Sequence, residues 1–351
     1  MKNCSFVFLF FFLLTRSWGF FLLPTVPPRR MPTALPMSTY MESLEGAASK
    51  ALGRQVRLEP ASGGGSSGGG GASTTAFVDK DTGDKYFVKS ATNKGNMLKA
   101  EYLGVKAVSE TNTISTPKPI AFGQYDNRAF VLFEYLDFCG GGSQFELGVQ
   151  LAKMHRNVSD KGFGFEVDNT IGATPQPNLP WMDNWQDFWD THRLGHMLKL
   201  TGNAGLSPSQ VEQLRTKTRE LLSHSPAPSL LHGDLWGGNK GFCKKDGKIV
   251  PVIFDPATYY GDREADVAMT YLFGGFGGDF YKGYESEWPL PAVSHYVLFA
   301  VHAENARLLQ PLNVGRSFGF SKGFFGLRHH TATNFVRAMR NERWSTIFTI
   351  F

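Results

Sequence analysis

A chain of 351 residues, 42% hydrophobic and 14% aromatic, carries enough apolar material for one large domain or two modest ones, which excludes global disorder. The formal charge of +5 is local: Lys2, Arg16, Arg29 and Arg30 precede Met41 in a stretch without acidic residues, which leaves 32 basic against 31 acidic groups in the body. A nearly neutral body removes the main support for a nucleic-acid partner, and three cysteines (Cys4, Cys139, Cys243) make no disulfide framework.

The chain opens on Lys2 and the phenylalanine-rich run SFVFLFFFLL, too short for a comfortable membrane span, with small residues near Gly19. This predicts a signal peptide over 1–19. Residues 20–41, rich in Pro, Ser, Thr and Arg and free of acids, read as a transit-like leader. The pair resembles the bipartite plastid leader of algae with secondary plastids, with secretion as the alternative destination. No stable membrane anchor is expected once the leader is removed.

Within the body, MESLEGAASKALGR has helical spacing and precedes GGGSSGGGG, the glycine run of Gly63–Gly71. STTAFVDKDTGDKYFVKSA reads as two strands around a turn, and NMLKAEYLGVKAVSE as a helix with Met97, Leu98, Tyr102, Val105 and Val108 on one face. PIAFGQYDNRAFVLFEYL is a second hairpin turning at Asp126-Asn127. The expected order is thus glycine loop, strand, strand, helix, strand, strand. From Gly140 the pattern turns helical: QFELGVQLAKMHRN, WQDFWDTHRLGHMLKL and SPSQVEQLRTKTRELLSH, the last with Ser207 as N-cap and Pro208 at the first helical position. The expectation is an α+β fold: a small antiparallel-sheet lobe over 42–136, a larger helical lobe over 137–351, and a cleft between them.

The segment LLHGDLWGGNKGFCKKDGKIVPVIFDPA carries the chemistry. Asp234 is followed five positions later by Asn239, then by a hairpin turning at Asp246-Gly247, then by Asp255 after an apolar strand. Phosphoryl transfer needs that set: a carboxylate for the attacking hydroxyl and two oxygen ligands for a metal on the nucleotide phosphates. Asp234 takes the first role, and Asn239 with Asp255 the second. The spacing resembles the kinase catalytic loop, with His232 retained, Gly233 in place of Arg, and Asp255-Pro256-Ala257 where kinases have D-F-G. Lys89 and Glu101 are the expected phosphate-holding pair. Glu134-Tyr135-Leu136 are the expected hinge for the adenine edge. In the glycine run, Gly64, Gly65, Ser66 and Ser67 are expected to cover the phosphates through backbone N–H groups.

LLHGDLWGGN, IFDPATYYGDREADVAMTYLFGGF and TIGATPQPNLPWMDNWQDFWDTHRLGHML together resemble the fructosamine-3-kinase (ketosamine-3-kinase) family, over roughly Leu44 to Tyr296. The resemblance implies a bilobal protein-kinase-like fold and ATP- and Mg2+-dependent phosphorylation of the 3-hydroxyl of ketosamine adducts (fructosamine, ribulosamine) on glycated proteins or small glycated amines, which leads to deglycation. It makes Asp234 the catalytic base, Asn239 and Asp255 the metal ligands, and Trp236 a residue facing the sugar. His232 and Asp266 become structural supports of the catalytic loop. An aminoglycoside- or choline-type kinase and a catalytically impaired pseudokinase are the alternative readings. Serines stand where many relatives have a loop cysteine, so a monomer is expected. The tail from about Val297 departs from the family's final helices, as a misread splice junction would produce.

Overall fold

The computed structural model describes residues 37–67 and 72–291. Most of the stretch expected to be leader, and the tail from about Val297, lie outside the described residues. None of the described helices is long and apolar enough to cross a membrane.

Helix α1 (Met37–Leu52) begins inside the stretch expected to be leader. The reason is packing: Tyr40, Leu44 and Ala48, four residues apart, form one buried stripe, and Tyr40 meets Phe130 edge-on at 5.8 Å. A five-stranded antiparallel sheet follows, built from β1 (Leu58–Ser67), β2 (Ser73–Asp79), β3 (Lys85–Thr92), β4 (Pro119–Tyr125) and β5 (Arg128–Glu134) in the order β1-β2-β3-β5-β4. Strand β5 is buried on both faces. Phe130 and Leu132 face α1, whereas Ala129, Val131 and Phe133 face α2 (Gly95–Glu110), which packs through Leu98 and Val105.

The sheet has one strand more than expected. Gly63–Ser67 belong to β1 instead of a loop, with Gly65, Ser66 and Ser67 paired to Thr75, Thr74 and Ser73. Glycines carry no side-chain period, so nothing in the sequence marks this strand, and its edge position accommodates Pro60. Gly68–Gly71 lie outside the described residues.

The helical part begins with α3 (Gln144–His155), N-capped by Ser143. Hairpin β6–β7 (Asn169–Ile171, Thr174–Gln176) comes next. The stretch expected to be one helix is instead α4 (Trp185–Phe188), a π-helical turn (Trp189–Leu194) and α5 (Gly195–Leu200). Gly195 allows the wide turn, since a Cβ there would stand 2.5 Å from the Asp190 carbonyl oxygen. Helix α6 (Pro208–Leu221) carries a full capping box between Ser207 and Gln210. Then come β8 (Ser229–Leu231), the β9–β10 hairpin (Lys240–Lys245, Lys248–Ile253), β11 (Tyr259–Gly261), α7 (Glu264–Phe273) and α8 (Gly278–Glu287). Trp185, Phe188, Trp189 and Leu194 are buried in one core cluster. Leu147, Leu151 and Met154 of α3 join Phe280 and Tyr284 of α8 in another.

Helices α3 and α8 touch through their glycines: a Cβ on Gly148 would lie 2.0 Å from the Phe280 carbonyl oxygen, and one on Gly283 2.0 Å from that of Phe145. Gly148→Val is expected to cost about 3 kcal/mol, the upper end for overpacking, read as a lower urea midpoint. Gly46→Ala on α1, where a Cβ meets nothing within 4 Å, is expected to gain about 0.5–1 kcal/mol from helix propensity.

Candidate active site

Strand β8 delivers the chain into the loop His232–Asn239, and the β9–β10 hairpin returns it to Asp255. This brings the three sequence-picked oxygen donors to one end of the hairpin. Asn239 Nδ2 donates to the Asp234 carbonyl at 2.8 Å and to Asp234 Oδ2 at 3.1 Å. With its amide hydrogens directed at Asp234, Asn239 keeps Oδ1 as the ligand atom. The Phe254 N–H donates to the Asn239 carbonyl at 3.0 Å, which ties the residue before Asp255 to the loop. Asp255 itself adopts φ 57°, a left-handed conformation that Asp tolerates better than most residues.

Burial pushes the Asp234 carboxyl up to about 7; the Asn239 amide opposes the rise, and the charges of Asp255 and Asp266 add to it. Two carboxylates and an amide oxygen concentrated this way suit a hard divalent cation. Asn239 and Asp255 are the residues that would hold it.

Lys89 lies in one row across the sheet with Thr74 and Ser66, which places the glycine-rich end of β1 two strands away. Its Nζ contacts Glu101 Oε1 on α2 at 2.6 Å and Asp255 Oδ1 at 2.6 Å. Burial alone would lower the Lys89 ammonium, but the two carboxylates outweigh it and hold the group above its ordinary value. Burial raises Glu101 despite its cationic neighbour. One lysine therefore links helix α2 to the Asp255 carboxylate. At the expected hinge, β5 ends at Glu134, Tyr135 is exposed, and Leu136 makes no backbone hydrogen bond among the described residues.

Asp266, 1% exposed on α7, accepts the His232 N–H at 2.6 Å and the Gly233 N–H at 2.8 Å. His232 is buried, which lowers its imidazole. Its Nδ1 accepts the Asp234 N–H at 3.2 Å while Nε2 faces the Phe254 carbonyl at 2.9 Å, so the neutral Nε2–H tautomer satisfies both contacts. Sequence reasoning missed the next member of this brace. His155, fully buried, sets Nε2 3.1 Å from Asp266 Oδ2 and Nδ1 2.7 Å from the Tyr284 hydroxyl. A histidine on the apolar stripe of Leu147, Leu151 and Met154 was the available signal.

Trp236 is 38% exposed and belongs to none of the buried core clusters. Its ring lies over Gly238, where a Cβ would stand 2.2 Å away from it. The Gly274-Gly275 turn after α7 packs on Gly237, with a Cβ on Gly275 reaching 2.6 Å from the Gly237 Cα. His192 and Arg193 serve the fold: His192 Nε2 lies 3.0 Å from the Pro180 carbonyl, and Arg193 donates to Pro177 O at 2.6 Å and Asn178 Oδ1 at 2.8 Å. His224, Asp262 and Glu264 gather ligand-type atoms within 4.8 Å, but His224 and Asp262 spend theirs on each other in a 2.6 Å hydrogen bond. A cavity of about 640 Å³ lies between the start of α2 and the tip of β6–β7, not at Asp234.

Gly233, which replaces the kinase arginine, has a steric reason. It sits at φ 80°, and a Cβ there would stand 2.1 Å from the Ala257 carbonyl oxygen. Gly233→Ala is therefore expected to cost about 1–3 kcal/mol in urea unfolding, with loss of nucleotide binding in the folded fraction.

The chain is similar in sequence and in fold to known proteins. The fructosamine kinase family model matches residues 47–297. A "Probable ketoamine kinase" of Synechocystis is 46% identical over 214 residues, 60% of this chain and 71% of that protein. The chloroplastic protein-ribulosamine 3-kinase of Oryza sativa subsp. japonica is 40% identical over 218 residues, 60% of this chain and 62% of that protein. Among solved structures, a Thermobifida fusca protein assigned as a fructosamine-3-kinase superposes with a TM-score of 0.61 at 25% identity, over 76% of this chain and 91% of that one. A Haemophilus somnus protein of the same assignment gives 0.61 at 23%, over 77% and 97%, and supports the protein-kinase-like fold. The chain belongs to the fructosamine kinase family.

Proposed function

We propose that this chain is an ATP-dependent ketosamine 3-kinase acting on sugar adducts of glycated proteins or small glycated amines. The observation that carries the reading is the convergence of Asp234, Asn239 and Asp255 with the Lys89–Glu101 pair in a member of the fructosamine kinase family. In this reading Asp234 orients the 3-hydroxyl and takes its proton as the hydroxyl oxygen attacks the γ-phosphorus of ATP and ADP leaves. Lys89 holds the phosphates, and Asn239 with Asp255 hold the Mg2+, which when bound screens phosphate charge. Trp236 offers an apolar ring face to the sugar, and the backbone of Glu134–Leu136 takes the adenine edge. The glycine-rich end of β1, including Gly64, Gly65, Ser66 and Ser67, covers the phosphates. His232 and Asp266 keep the loop in place.

The division into an ATP-binding lobe over 42–136 and a catalytic lobe from 137 onward belongs to the same proposal. So does a plastid destination, for which the chloroplastic plant relatives and the acid-free leader are the support.

The test is ADP release from ATP and Mg2+ in the presence of ribosylated and fructosylated lysines. Wild type is expected to turn over at least one adduct. Asp234→Asn is expected to lose about 10²–10⁴-fold in rate, and Trp236→Ala to raise KM for the adduct about 3- to 10-fold with ATP affinity unchanged. No ADP release from any adduct, or an Asp234→Asn rate equal to wild type, overturns the reading.

A further inference from the structure

The segment NTIGATPQPN, residues 169–178, has no part in the chemistry just described, yet three of its polar side chains, Asn169, Gln176 and Asn178, are buried. Asn169 and Gln176, 8% and 5% exposed, face each other across the β6–β7 register. Gln176 Nε2 donates to Asn169 Oδ1 at 2.8 Å and to the Ala257 carbonyl at 3.1 Å. Because that bond engages Asn169 Oδ1, the amide of Asn169 must point its Nδ2 the other way, and it donates to the Thr258 carbonyl at 2.8 Å. Two amide side chains thus hold the two carbonyls that follow Asp255-Pro256.

The opposite side of the same segment is closed by glycines. Gly233 of the catalytic loop admits the Ala257 carbonyl, as described above. Gly104 of α2, one turn beyond Glu101, admits Thr258, whose Oγ1 would lie 2.9 Å from a Cβ there. The hairpin has its own anchor. Asp168 Oδ1 accepts the N–H groups of Asn178 and Leu179 at 2.7 and 3.1 Å. Arg193, packed over the Phe188 and Tyr259 rings at 4.7 and 4.2 Å, holds Pro177 and Asn178. A buried polar network in which each bond requires a particular donor fixes a geometry that apolar packing alone leaves loose.

We infer that the β6–β7 hairpin is a latch for the metal-ligand loop, with Asn169 and Gln176 as positioning residues for Asp255. The role in metal binding rests on the kinase reading; the mechanical role does not. Without the latch, the segment 255–258 keeps its glycine contacts but loses the bonds that set its carbonyls, and Asp255 no longer holds its left-handed conformation against the cleft.

Two measurements on the full chain separate these parts. Hydrogen–deuterium exchange of Gln176→Met, and of the Asn169→Ala/Gln176→Met double variant, is expected to rise about tenfold in peptides covering 254–262 while α3 and α8 keep wild-type protection. Calorimetric binding of ADP is expected to need about tenfold more Mg2+ for the same affinity gain, with metal-free ADP binding unchanged. If the double variant does not fold, Gln176→Met alone carries both measurements. Wild-type exchange over 254–262 overturns the latch. A wild-type Mg2+ requirement, or equal weakening of metal-free and Mg2+-loaded ADP binding, overturns its role toward Asp255. Failure of the wild-type chain to bind any nucleotide overturns the kinase reading instead, and the exchange data still decide the latch.

Discussion

The buried carboxylate of Asp266 is the constraint on which the site depends. A charge removed from water is costly unless its lone pairs are filled, and here two successive backbone N–H groups and the His155 ring fill them. Burial works against the charged form, and the His155 contact with these N–H bonds outweighs it, holding Asp266 below the usual carboxylate range. The bonds that keep Asp266 ionised are the same bonds that fix the backbone of His232 and Gly233, so the position of Asp234 is inherited from a group that never meets substrate. The brace reaches further through Tyr284, whose hydroxyl contacts both His155 and Arg263. The close glycine contact of α3 with α8 is what brings His155 and Tyr284 within reach of each other.

Around this fixed point the site is assembled by leaving side chains out. Gly233, Gly275 and Gly104 sit where another backbone or side chain comes too close for a Cβ. A kinase with arginine at the Gly233 position would have to move the Ala257 carbonyl elsewhere, and with it the start of the loop carrying Asp255. The substitution of Arg by Gly is therefore part of a different way of holding the loop that carries Asp255: backbone against backbone on one side, amide side chains on the other. The small-lobe helix joins in through Gly104, one turn beyond Glu101, so Glu101 and the contact with Thr258 lie on the same face of α2.

Much of this was legible in the sequence where local chemistry is strong. The turns at Asp126-Asn127 and Asp246-Gly247 set two hairpins, both with Asp at positive φ, and Ser207-Pro208 set the start of α6. The spacing of Asp234, Asn239 and Asp255 found the polar site because a loop and a hairpin of fixed length carry them. What was not legible lacks a periodic signal or depends on distant partners. Strand β1 is written largely in glycine and serine, which have no inward and outward faces to alternate. The π-helical turn adds a residue to a pattern that otherwise reads as a single helix, and only the contact of Gly195 with Asp190 shows why. Asn169 and Gln176 look like surface turn residues until the segment some 80 residues later is folded against them.

The Lys89 contact with Asp255 shows how the two lobes are coupled before any nucleotide is considered. Lys89 belongs to the sheet and Asp255 to the loop beyond the β9–β10 hairpin, 166 residues apart, and Glu101 completes the triad from α2. Asp255 is half exposed whereas Lys89 and Glu101 are largely covered, so the Glu101 bond is the better shielded of the two and the less screened by solvent. In the proposed function, phosphate oxygens arriving at Lys89 would compete first with the exposed partner. That ordering would leave Glu101 holding the lysine in place and free the Asp255 carboxylate oxygen for the proposed divalent cation. The ion pair between the lobes therefore keeps Lys89 and Asp255 close together while remaining weak enough on its exposed side to be exchanged.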